Sequence, residues 1–174
     1  VLSRGPAIGR IRLTADTGLT REFLLCAGQG WVEVLFNEAL GWYWNYDDSA
    51  VFAPEGYTPG TFVFSDGTSG AVGPMAAELG SQVARDGVVW AAKTRADGLT
   101  HALITPGRKT RLMTGPGGGW GGCGLERAPA VSHLVTVGDV IPADALATRL
   151  SGLEQALSLR QQPRVTLYAP EPRP

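Results

Sequence analysis

Apolar and polar residues alternate in steps of two along most of this chain. In Arg10-Ile11-Arg12-Leu13-Thr14, Ile11 and Leu13 fall on one side and the polar residues on the other, the period of a half-buried β-strand. Glu22–Cys26 follows the turn Ala15-Asp16-Thr17-Gly18, and Trp31–Phe36 follows Gly28-Gln29-Gly30. Thr61–Ser65, Ser81–Arg85, Val88–Arg95, Leu99–Thr105, Arg111–Thr114, Cys123–Arg127 and His133–Val137 extend the series. Asp86-Gly87 and Asp97-Gly98 each separate two of these runs. Asp-Gly suits tight hairpins whose central residues need positive φ, so antiparallel neighbours are expected across residues 81–105.

One segment changes period. Leucines at 146, 150, 153 and 157 mark one face of a helix, predicted over 142–160. Pro142 suits the first turn, while Asp144 and Arg160 complement the two ends of the helix dipole. Pro163 stops the helix, and Val165-Thr166-Leu167-Tyr168 reads as a final strand. The fold class expected is therefore mostly β: an antiparallel β-sandwich with one C-terminal helix and a last strand. A single domain spans 1–169, and 170–174 is an extended Pro-rich tail.

Composition narrows the partners. With 44% hydrophobic and 18% charged residues, 174 residues are enough to bury a core. The 15 basic residues nearly cancel the 16 acidic ones, so no global field favours nucleic acid or an anionic membrane. The cluster Arg108-Lys109-Thr110-Arg111 reads as a solvated strand end. No run reaches the about 18 apolar residues of a membrane span. A start at Val1 without a charged-then-apolar leader reads as a processed chain or an excised domain. Cys26 and Cys123 sit in apolar strand-like contexts and are expected as free buried thiols, with one disulfide as the alternative. There is no CxxC, and His101 and His133 lie far apart, so no metal site is expected.

The richest chemistry lies in Trp42-Tyr43-Trp44-Asn45-Tyr46-Asp47-Asp48. Aromatic faces stack on the C–H faces of sugar rings, and amides and carboxylates accept from their hydroxyls. Two readings stay open: Trp42 and Trp44 as core residues on one side of a strand, or the cluster as a ligand surface. Gly115–Gly122 lacks the Lys, the Ser or Thr and the following helix of a phosphate loop, and no strand–turn–helix unit makes it a dinucleotide fingerprint. No cofactor is expected. Those glycines either turn the chain tightly or expose Trp120 as a stacking platform. Asp47, Asp48 and Asp66 offer hard oxygen ligands, but without EF-hand spacing. No GxSxG motif is present. His101 and His133 each interrupt a half-buried strand, as structural histidines or as a base or hydroxyl donor at a cleft wall. Glu33, Glu38, Asp47 and Asp48 are available for a glycosidase pair. Tyr46, His101 and Arg108 are available for eliminative cleavage of a uronic-acid polymer.

Gly5–Leu13 and Phe23–Val34 together give a Gly-Pro start, a first strand, a second strand ending in Ala27-Gly28, then an aromatic and an alternating Val-Glu-Val strand. This resembles the galactose-mutarotase-like super-sandwich domains attached to polysaccharide lyases and some glycoside hydrolases. The strand Ser132–Thr136, with the helix and strand after it, is similar to their closing portion. The resemblance implies face-to-face antiparallel sheets, and sugar contact on a concave face or at a loop-lined end. It carries over no catalytic residues. The expected function is a carbohydrate-handling module of a polysaccharide-degrading enzyme, with an oligo- or polysaccharide and possible companion domains as partners. Candidate ligand-binding residues are Trp42, Trp44, Asn45, Tyr46, Asp47, Asp48, Trp120, His101 and His133. The alternatives are a self-sufficient lyase or hydrolase, and a structural domain-packing sandwich. A secreted or periplasmic location follows from the carbohydrate reading alone.

Overall fold

A computed structural model describes residues 3–4, 8–16, 18, 20–36, 40–45, 60–72, 83–114, 124–128 and 133–161, with the backbone alone at 3–4, 36, 40–45, 124–128, 133–136 and 160–161. Among the described residues the chain is mostly antiparallel β with one helix. The strands are β1 Ser3–Arg4, β2 Ile8–Thr14, β3 Thr20–Cys26, β4 Trp31–Phe36, β5 Leu40–Asn45, β6 Gly60–Phe64, β7 Ser69–Val72, β8 Val83–Val88, β9 Trp90–Arg95, β10 Leu99–Ile104, β11 Thr110–Thr114, β12 Gly124–Ala128 and β13 His133–Val140. The helix, α1, is Leu146–Gln161. A nine-stranded sheet runs β1-β2-β3-β4-β13-β10-β9-β6-β7, and a four-stranded sheet runs β5-β12-β11-β8.

The alternation read in the sequence sets the layers. Val34, Phe62, Phe64, Ala91 and Leu103 of the large sheet pack with Val88 and Leu112 of the small one, forming the interior of the sandwich. The other face of the large sheet sends Trp90, Ala92, Ala102, Ile104 and Val137 against Leu146, Leu150 and Leu157 of α1. The central strands are therefore apolar on both sides, as a sheet covered on two faces must be. Two alanines in register, Ala92 and Ala102, keep the surface under the helix low. Leu153 joins partly buried, so all four predicted leucines meet the sheet.

Two differences from the sequence reading shape the architecture. The helix begins at Leu146, because Ile141 is still tied to the sheet through its N–H to the Gly98 carbonyl at 2.9 Å. Pro142–Ala145 then form a turn, closed by the Ala145 N–H on the Pro142 carbonyl at 3.0 Å. Asp97-Gly98 does turn the β9–β10 hairpin, with Gly98 at φ +86°. Asp86-Gly87 does not separate paired strands. Both residues lie within β8, which pairs with β11 in the small sheet, while β9 belongs to the large one. Gly87, at φ +73°, sits where the β8–β11 register shifts, so its conformational freedom serves a bulge before the chain crosses between sheets. The expected strand at 165–168 and the tail at 170–174 lie outside the described residues.

At the open side of the large sheet, β2 and β3 carry an ion-paired cluster. Glu22 Oε2 accepts from Arg10 Nε at 2.5 Å and Oε1 from Arg12 Nε at 2.6 Å, and both guanidinium groups close ion pairs with it. The hydrogen bond from Arg12 holds the Glu22 carboxyl below the usual carboxylate range, against the opposing effect of burial and with further help from Arg10. A depressed folded-state pKa gives stability that is present above the unfolded value, about 4.3, and is lost as pH falls through the folded value. Glu22→Gln should therefore flatten the acid limb of a urea-midpoint-versus-pH curve. An unchanged slope within that window would show that the cluster contributes nothing to acid stability.

Candidate functional site

Several described turns and strand ends lie along one end of the large sheet and form a common rim. The β3–β4 turn, the end of β13, the β9–β10 turn and the start of β6 all lie there, because antiparallel neighbours bring alternate strand ends together. The rim is stitched by the Gly138 N–H to the Gly30 carbonyl at 2.8 Å and by the Ile141–Gly98 bond. Gly30 is required: a Cβ there would lie 2.8 Å from the Asp139 side chain.

A cavity of about 340 Å³ opens in this rim, lined among others by Leu25, Cys26, Gln29, Trp31, His101 and Gly138. His101, half-buried in the middle of β10, pairs with Gly138 of β13 on one side and Lys93 of β9 on the other. Gly138 has no side chain to close the space above the strand, so the imidazole borders the cavity. Trp31 also borders it, although its ring packs with the helix-side cluster on the other face of the sheet. Its indole N–H is buried and meets no acceptor among the described residues, an arrangement that leaves about 1–3 kcal/mol of hydrogen-bonding free energy unrealised. Exposed Gln29 supplies an amide and half-buried Cys26 a free thiol. A volume of this size lies at the lower end of the range for small-molecule pockets, about 300–1,000 Å³.

Lys93 is wholly buried on the inner face of the large sheet, in register between Phe62 and His101. Sequence reasoning passed over it. The signal was its place in Trp90-Ala91-Ala92-Lys93-Thr94, where a lysine follows residues that bury both faces of a strand. A wholly buried lysine is an unusual occupant of a sandwich interior.

Of the other predicted site residues, some are placed by the backbone alone and the rest lie outside the described residues. Trp42, Trp44 and Asn45 lie on β5, where Trp44 pairs with Leu125, which in turn pairs with Leu112 of the buried core. His133 starts β13 opposite Leu35, about 17 Å along the strand from the Gly138 that faces His101, at roughly 3.3–3.4 Å per residue. The two histidines therefore do not form one site. Tyr46, Asp47, Asp48 and Trp120 lie outside the described residues, as do Glu38 and Cys123. Asp66 is engaged in the β6–β7 turn: it accepts the Thr68 N–H at 2.9 Å and the Arg85 guanidinium at 2.8 Å. Those contacts, the Thr68 amide first, hold its carboxyl below the ordinary range. Among the described residues no three His, Cys, Asp or Glu side chains cluster as metal ligands, and no helix is long and apolar enough to cross a membrane. Compared with family models, curated proteins and solved structures, the chain finds no match.

Proposed function

We propose that this chain is a carbohydrate-handling β-sandwich module, similar in kind to the galactose-mutarotase-like domains of polysaccharide-degrading enzymes, and that it holds sugar in the rim cavity. The observation that supports this is the placing of His101, Gln29 and Trp31 around one open space of about 340 Å³ at the loop-lined end of the sheet. The imidazole and the amide suit the hydroxyls of a sugar ring, and Leu25 and Val32 offer apolar surface to its C–H face. Titrating tryptophan fluorescence with neutral oligosaccharides, while assaying the same mixtures for new reducing ends, tests the reading. Saturable quenching without cleavage is the expected result. Gln29→Ala and His101→Ala should each weaken binding by about tenfold, the equivalent of one or two ordinary hydrogen bonds. Unaltered affinity in both variants would remove the sugar from this cavity.

A second reading, a domain-packing sandwich, is favoured by the apolar stripe Ile11, Leu13 and Leu25, exposed to 39, 56 and 42% on one face of β2 and β3. On that reading the same titration is silent.

A further inference from the structure

The strand registers carry one row of residues across the inner face of the large sheet. Gly9 of β2 stands opposite Leu25 of β3, and Leu25 opposite Val32 of β4. Val32 stands opposite Thr136 of β13, which pairs with Leu103 of the sandwich core. The neighbouring row on the same face is Ile11, Phe23 and Val34, and Leu13 lies beyond Ile11 on that side of β2. Val34 is buried between the sheets, and Phe23 and Val32 pack against the same cluster. His101 joins this face from the far side, in alternation with Leu103 and paired with Gly138. The cavity and the exposed stripe Ile11, Leu13 and Leu25 therefore share a face, and Leu25 belongs to both.

Two glycines keep the path between them open. A Cβ at Gly138 would meet nothing within 4 Å, and the same holds at Gly9. Neither has a positive φ, so the backbone does not require glycine at either place. From Gly138 to Gly9 the path runs from β13 over β4 and β3 to β2, about 14 Å at about 4.8 Å per strand. Polarity changes along it. The cavity end carries the His101 imidazole and the Gln29 amide, and the other end the aliphatic side chains of Leu25, Ile11 and Leu13. A stable protein interface draws on about 20–30 residues a side, far more than this strip on two strands provides. Its width suits a single hydrocarbon chain, whose burial is favourable for each methylene covered.

We infer that this path binds a neutral glycoside with an apolar aglycone, the sugar ring in the cavity and the hydrocarbon over Leu25, Ile11 and Leu13. This rests on the carbohydrate reading above and names the class of ligand. The test is calorimetric titration with methyl, hexyl and octyl glucosides and galactosides below their micelle-forming concentrations, with 1-octanol as the sugar-free probe. The octyl glycoside should bind about tenfold or more tighter than both the methyl glycoside of the same sugar and 1-octanol. Gly9→Phe fills the open space beside Leu25, and Leu13→Asp sets a carboxylate at an exposed position in the strip. Each variant should lose most of the chain-length gain and bind the methyl glycoside as the unmodified chain does. Equal affinity for methyl and octyl glycosides, or a gain that survives both variants, overturns the inference and leaves the sugar in the cavity. If 1-octanol binds as tightly as the octyl glycoside, or no glycoside binds at all, the carbohydrate reading and this inference fall together.

Discussion

Trp90→Ala is expected to destabilise the chain by about 3–5 kcal/mol, the cost of truncating a large buried aromatic. Trp90 is 2% exposed and lies between β9 and α1, among Ala92, Ile104, Leu150 and Leu157. Ala92 and Ala102 are too small to close over the space the indole would vacate. The indole N–H also donates to Ser151 Oγ at 3.1 Å, so the truncation removes a packed ring and a tie to the helix together. Trp90→Phe keeps most of the ring volume and should cost much less, about 0.5–1.5 kcal/mol for the hydrogen bond. Urea unfolding of both variants, followed by far-UV and near-UV circular dichroism, measures this. A loss below about 1 kcal/mol for the alanine variant would mean that α1 is held chiefly elsewhere, for instance by the Glu154 carboxylate that accepts the Gly107 N–H at 2.8 Å. The consequence reaches the rim. Ala143, which borders a second cavity of about 540 Å³ at the strand ends of β6 and β9, lies in the short turn between the sheet and this helix, so loosening α1 loosens that wall.

The legibility of this molecule in its sequence follows the range of the interactions involved. Trp31–Phe36 was predicted with its observed limits because alternation and the preceding Gly28-Gln29-Gly30 turn are local signals. The leucine face of α1 was equally plain, its start less so, since the hydrogen bond that holds Ile141 to Gly98 comes from the β9–β10 turn far back in the chain. Ser69–Val72 carries no strand signature. It is a strand because Gly70 leaves room for the Phe62 ring, which a Cβ there would approach to 2.7 Å. His101 could be picked out as a histidine in an apolar strand. That it borders a cavity depends on β13 inserting between β4 and β10, a pairing that no local pattern encodes. Lys93 was invisible for a related reason: its burial is set by a second sheet. The aromatic cluster of β5 drew attention by composition, whereas the rim cavities are made of ordinary residues brought together by topology.

Phe64→Ala should match the Trp90 effect, at about 3–5 kcal/mol, but in the other core. Phe64 is fully buried and meets Phe62 edge to face, with ring centroids 6.2 Å apart and planes at 79°. In register it stands against Ala91, which stands against Leu103, so one small residue separates two large ones across the inner face. Truncation opens a void that Ala91 cannot fill, whereas Phe64→Leu retains most of the volume and should cost about 1.5 kcal/mol or less. Urea midpoints at constant m-value measure both, and a small loss for the alanine variant would show that the two sheets are only loosely packed. The double variant with Trp90→Ala then asks how the layers communicate. Phe64 and Trp90 belong to separate clusters on opposite faces of the large sheet and share no packed neighbour within them. Yet the Ser65 N–H donates to the Trp90 carbonyl at 3.1 Å, joining the two strands at that point. If the sheet is a rigid partition, the two losses add within about 0.5 kcal/mol. A coupling of 1 kcal/mol or more would mean that the sheet shifts when either core is emptied, and with it the strand ends that frame both rim cavities.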